Sequence, residues 1–113
     1  MAPAGQDASA RVVVLSCHIR GVFDASVLSL ALFALRRYHP ACKVVLVDNA
    51  SPIPITQGRL PAVAWMRNNV AIVLNSPSTT REYGAYAKGL AFLAGSVGDW
   101  SLERHEQFVF MQG

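Results

Sequence analysis

An apolar run ending in a carboxylate is the feature of this sequence best suited to chemistry: Lys43-Val-Val-Leu-Val-Asp48 leads directly into Asn49, Ala50 and Ser51. A carboxylate there can accept hydrogen bonds from a ribose hydroxyl or a base N–H. The same residues also suit an Asx-type turn that only closes the strand. A second polar turn follows the apolar run 11–15 and offers Ser16, Cys17, His18 and Arg20. A hydrolase using Cys17 or His18 would need a nucleophile elbow or an ordered acid partner, and the sequence has neither. Nor does it contain GxGxxG or a Walker sequence, which argues against NAD and ATP. His18, His39 and His105 are spaced for no common metal site, and Cys17 and Cys42 read as two small buried thiols of a reducing compartment. Thr79-Thr-Arg-Glu82 fits a capping box, which accounts for Glu82 and leaves Arg81 unexplained.

These residues need a scaffold, and the pattern supplies one. Short β-branched runs at 11–16, 43–48, 70–74 and 107–111 have the composition of strands buried on both faces. Between the first two, Asp24 is expected to cap a helix over 24–38, packed through Val27, Leu30, Ala31, Ala34, Leu35 and Tyr38. Arg36 and Arg37 suit its last turn and Pro40 stops it. Residues 57–69 hold one short helix, with Pro61 at its first position. A further helix over 81–94 packs through Tyr83, Ala87, Leu90, Ala91 and Ala94, leaves Lys88 solvated and stops at Gly95. Trp65, Trp100, Phe108 and Phe110 read as core. The expected fold is α/β: a mostly parallel sheet of about four strands with helices on both faces. Ligands of such sheets bind outside the carboxyl ends of the strands, here 16–20, 48–51, 75–81 and 111–113.

Composition narrows the class. Ten Lys and Arg with seven Asp and Glu make 15% of the 113 residues charged, against about 25% in an ordinary soluble domain. Hydrophobic residues reach 52% and mean hydropathy is +0.30, which excludes disorder, a coiled coil and a nucleic-acid-coating tail. The net charge of +3 is scattered, with no stripe for nucleic acid. Residues 1–10 read as a flexible lead-in without the pattern of a signal peptide. No apolar run is long enough to cross a bilayer, so a cytoplasmic location is expected and a membrane is not indicated. So few charges on so small a chain suggest the interior of a larger domain.

Val12-Val-Val-Leu-Ser-Cys-His-Ile-Arg20, then a helix, then Val44-Val-Leu-Val-Asp-Asn-Ala-Ser51 resembles the opening of GT-A glycosyltransferases of the family 2 type. A second likeness lies in Asn75, Arg81-Glu82, Tyr86 and Phe108-Val-Phe-Met-Gln-Gly113. This stretch is similar to a glycosyltransferase-like group with an Asn-x-Gly-Arg-Glu motif, from which the chain departs by the insertion 76–80. The resemblance implies a Rossmann-like GT-A half-domain over 11–113 that binds a nucleotide-sugar through Ser16, His18, Arg20, Asp48, Asn49, Ser51 and Arg81. Arg81 would lie near the diphosphate. It also implies, for the complete domain, a divalent cation (Mn or Mg) held by an Asp-x-Asp after the fourth strand. The matching positions read Met111, Gln112 and Gly113, so the resemblance implies a truncated, nucleotide-binding half without catalytic residues or a metal of its own. The alternative is a small non-catalytic Rossmann- or flavodoxin-like interaction module, with self-association through an exposed strand edge.

Overall fold

A computed structural model of the chain describes residues 11–75, 81–101 and 107–112, of which 81–85, 99 and 107–112 are described as backbone. The expected lead-in 1–10 and the capping-box residue Thr79 lie outside the described residues, as do the side chains of Arg81, Glu82, Phe108 and Phe110. The architecture is α/β. Strands β1 (Arg11–Cys17), β2 (Lys43–Asn49) and β3 (Val70–Asn75) form a parallel sheet, and β4 (Gln107–Gln112) pairs in parallel with the other edge of β1, in the order β3-β2-β1-β4.

Every residue of β1 after Arg11 is buried, as are residues 44–48 of β2, because both faces of the sheet are covered. On one face Val13, Leu15, Val44 and Leu46 meet Leu28 and Leu32 of α1 (Val22–Tyr38) and Met66 of α2 (Ala64–Asn69). On the other, Val12, Val14, Val45 and Val47 pack with Leu93 of α3 (Arg81–Ala94). Continuous valine runs follow from this arrangement, since alternate side chains each find an apolar layer.

Three local expectations are corrected. Helix α1 begins at Val22 with Gly21 as its N-cap; Asp24 lies inside the first turn and accepts hydrogen bonds from the Arg20 backbone N–H at 3.0 Å and Nε at 2.9 Å. The buried positions of α1 are Leu28 and Leu32, with Leu35 packed beside them, whereas Val27, Leu30, Ala34 and Tyr38 are exposed. Both sets recur at helical spacing, so periodicity cannot choose between them. Helix α2 starts at Ala64 after a 3-10 turn at Gln57–Arg59, which leaves Pro61 in the connection between them.

The packed face of α3 also differs from expectation. Ala87, Ala91 and Ala94 are exposed, and Gly89 and Leu93 are buried, with Leu90 half-buried. A Cβ on Gly89 would lie 2.6 Å from Val14 Cγ1 and 3.5 Å from Val14 Cγ2 and Val47 Cγ2. The glycine lets the helix backbone lie against the valine layer, a contact that no apolar side chain announces. Lys88 is exposed, as expected.

Candidate functional site

The carboxyl ends of β1 and β2 are tied together by backbone and side-chain groups of their loops. The Ile19 N–H donates to Ser51 Oγ at 2.7 Å, the Ile53 N–H donates to the Ile19 carbonyl at 3.3 Å, and His18 Nδ1 lies 2.8 Å from the Asn49 carbonyl. A carbonyl only accepts, so Nδ1 carries the proton in that contact and the neutral ring has its acceptor at Nε2. Between them Ala50 takes φ 51°, a left-handed conformation in which a Cβ is strained. The turn that enforces it centres on Asp48. One oxygen of this carboxylate accepts from the Ser51 N–H at 2.9 Å and the other from the Ile55 N–H at 3.0 Å.

Asp48 is only 2% exposed. With an amide on each oxygen and almost no surface, it closes and shapes the turn. Of the two readings of Asp48-Asn49-Ala50-Ser51, the geometry favours the Asx-type turn. The groups left to meet a ligand are then its neighbours.

Those neighbours form a chain across three strands. Asn75 Nδ2 donates to Asn49 Oδ1 at 2.6 Å, and Asn49 Nδ2 donates to Ser16 Oγ at 3.1 Å. Asn49 and Asn75 are register partners at the ends of β2 and β3, and Ser16 sits diagonally from them on β1. The chain has a direction: the Asn75 side-chain oxygen is its half-buried acceptor end, and Ser16, only 3% exposed, anchors its buried end. A neutral ligand edge bearing both donors and acceptors suits such a row. Asn75 is not among the residues given a binding role from the sequence, although it stands at one of the strand ends where ligands are expected and in the second likeness.

Arg20 stands apart from this network. It forms an i,i+4 ion pair with Asp24 at 2.9 Å and lies with His18 on the wall of a cavity of about 630 Å³ between α1 and the end of β1, floored by Leu15, Phe23, Val27 and Leu28. The guanidinium hydrogen bond holds the Asp24 carboxyl below its usual range, so the pair persists as pH falls into the region where free carboxyls protonate. Arg81 begins α3, and its side chain lies outside the described residues. The expected residues thus gather in two groups: Ser16, His18, Asn49 and Ser51 around Asp48, and Arg20 beside them on the cavity wall.

These residues do not fit a divalent cation. Asp48 is taken up by backbone amides and Asp24 by Arg20, and among the described residues no three of His, Cys, Asp and Glu cluster to hold a metal. Cys17 lines the cavity too, but burial, followed by the Asp48 charge, pushes its thiol up to about 12. It stays protonated and is a poor nucleophile. Cys42 is buried and raised by the same loss of hydration, and both cysteines are free. Iodoacetamide should therefore leave the native chain unmodified over a time in which the urea-unfolded chain is alkylated at both sites; rapid native labelling of Cys17 would contradict its burial. Because the folded state retains the Cys17 proton more tightly than an unfolded thiol titrating near 9, its contribution to stability is whole below that pH and is lost as pH rises toward 12.

No family model, curated protein or solved structure matches the chain.

Proposed function

We propose that the chain is a nucleotide-sugar-binding, glycosyltransferase-like domain of Rossmann-like GT-A build. Its parent reaction would move a glycosyl group from a nucleoside diphosphate to an acceptor hydroxyl. The observation that supports this best is the strand order. The chain moves outward from β1 through β2 to β3, then returns to the far side of β1 for β4. Strand order reverses beside β1, and in open parallel sheets ligands occupy the crevice at such a switch point. Ser16, His18 and Arg20 stand at that end of β1.

The geometry supports a division of roles among these groups. Asp48 sets the turn and the buried Ser16 anchors the row, while Asn49 and Asn75 offer amide groups that suit a base edge or ribose. Arg20 would meet phosphate oxygens, keeping Nε and one outer nitrogen on Asp24 and turning its remaining N–H groups to the ligand, while His18 would offer its Nε2 acceptor to a ligand donor. The proposed role of this chain is donor binding, since the described site residues do not fit a cation, and no transfer step is assigned to it.

The test is an NMR titration of the full chain with UDP- and GDP-sugars. Weak binding that shifts the amides of His18, Arg20, Asn49 and Asn75 is the expected result; a folded sample showing no shifts there would refute the proposal. Replacing Asp24 by Asn removes a negative charge from the cavity wall and keeps an oxygen for the Arg20 N–H. It should tighten the complex several-fold. The alternative of a non-catalytic interaction module is favoured by one observation, the exposed apolar face of α1. Asn49→Ala separates the two readings, since it weakens nucleotide binding under the first and leaves partner binding intact under the second.

A further inference from the structure

Helix α1 is apolar on both sides. Its inner side is buried by Leu28 and Leu32, yet its outer side carries Val22 at 83% exposure, Phe23 at 80%, Leu30 at 69% and Tyr38 at 69%, with Val27 and Phe33 also exposed. Among its exposed residues only Ser26, Arg36 and Arg37 are polar. A helix apolar all round is one that a second layer covers.

The charges on and beside the helix indicate what that layer is. The acid of α1, Asp24, is neutralised by Arg20. Arg36 and Arg37 occupy the last turn, both exposed and without an acidic partner among the described residues. Arg37 lies over the Tyr38 ring, 5.6 Å from its centroid, which places a cation and an amphipathic aromatic at one end of the stripe. A second copy of this chain would bring no free α1 carboxylate to these arginines, because its own Asp24 is engaged. An anionic lipid surface offers charge at every point along its plane, and aromatic and arginine side chains are at home at its boundary. No described helix is long and apolar enough to cross a membrane, and α1 has 17 residues, about 25 Å of helix.

We infer that the outer face of α1 docks flat on an anionic bilayer, with Val22, Leu30 and Phe33, which lie away from the cavity lining, entering the headgroup boundary and Arg36 and Arg37 binding lipid headgroups. This does not depend on the nucleotide-sugar reading.

Vesicle co-sedimentation of the full chain tests it, using phosphatidylcholine vesicles with and without phosphatidylserine. Binding should favour the anionic vesicles by at least tenfold and weaken at high salt. Arg36→Gln with Arg37→Gln should cut anionic binding roughly thirtyfold, at the usual attraction per basic residue. Val22→Ser with Leu30→Gln should reduce binding to both kinds of vesicle. Circular dichroism checks that each variant is folded, and the arginine pair keeps the test informative should the apolar pair unfold. Absence of vesicle binding, or binding indifferent to the arginine pair, overturns the inference. So does a dimer by light scattering that Val22→Ser with Leu30→Gln converts to monomer, which would assign the face to a second copy.

Discussion

Replacing Asp48 by alanine should destabilise the folded chain by about 3–5 kcal/mol. The carboxylate is the acceptor for two backbone N–H groups, those of Ser51 and Ile55, and the Ile55 bond is buried. A hydrogen bond to a charged group contributes roughly 1.5–3 kcal/mol, and a donor stranded in the interior costs about 1–3 kcal/mol. Set against a total stability of roughly 5–15 kcal/mol, the loss is large enough to lower the melting temperature by about 15 °C or more. Asp48→Asn retains one oxygen and should fall between wild type and alanine. Urea unfolding followed by circular dichroism measures the series. An alanine variant with an unchanged midpoint would mean that the carboxylate does not hold the turn, and would reopen its assignment as a ligand group. Lost nucleotide binding in Asp48→Ala therefore says little alone; Asn49→Ala is the cleaner probe.

The second large effect falls on Gly89. Substitution by alanine brings two opposing terms. Alanine is better than glycine in a helix by about 1 kcal/mol. Its Cβ, however, would lie 2.6 Å from Val14 Cγ1, and overpacking of this kind costs roughly 1–3 kcal/mol. Val14 has little room to yield: it is fully buried in the centre of the sheet, and its second methyl already lies 3.5 Å from the same point. Rotating χ1 of a β-branched residue exchanges one clash for another. The steric term wins, and Gly89→Ala should be net destabilising by up to about 2 kcal/mol, with Gly89→Leu worse. In a Val14→Ala background, itself destabilised by the lost methyl groups, Gly89→Ala should cost little, and additivity of the two variants would refute the contact. Ala91→Ser, on the exposed side of the same helix, is the control and should change stability little.

Which features could be read from the residues alone follows from where their cause lies. The strands were legible because burial on both faces leaves a continuous β-branched run, as in Val12 to Leu15 and Val44 to Val47. The end of α1 was legible too, since Arg36, Arg37 and Pro40 act locally. Its start and its packed face were not. Asp24 satisfies the Arg20 backbone rather than capping the helix, and the stripe through Leu30 and Tyr38 is as periodic as the one through Leu28 and Leu32. For α3 the centre of the interface is Gly89, whose contribution is the absence of a side chain. At the site, the composition of residues 48–51 announced a turn, but the links of Asn49 to Ser16 and Asn75 span 33 and 26 residues. They depend on strand register, which no local pattern encodes.

The bonds between the loops after β1 and β2 bear on how this site could be moved by design. Ile19 reaches Ser51, Ile53 reaches back to Ile19, and His18 is held by Asn49. A graft that carried residues 16–20 into another parallel sheet would leave the Ile19 amide without its hydroxyl acceptor and the imidazole without its carbonyl. Residues 16–20 and 48–55 form one transplantable cassette: the recipient must present two adjacent parallel strands in the same register, and Asp48 has to travel with the rest.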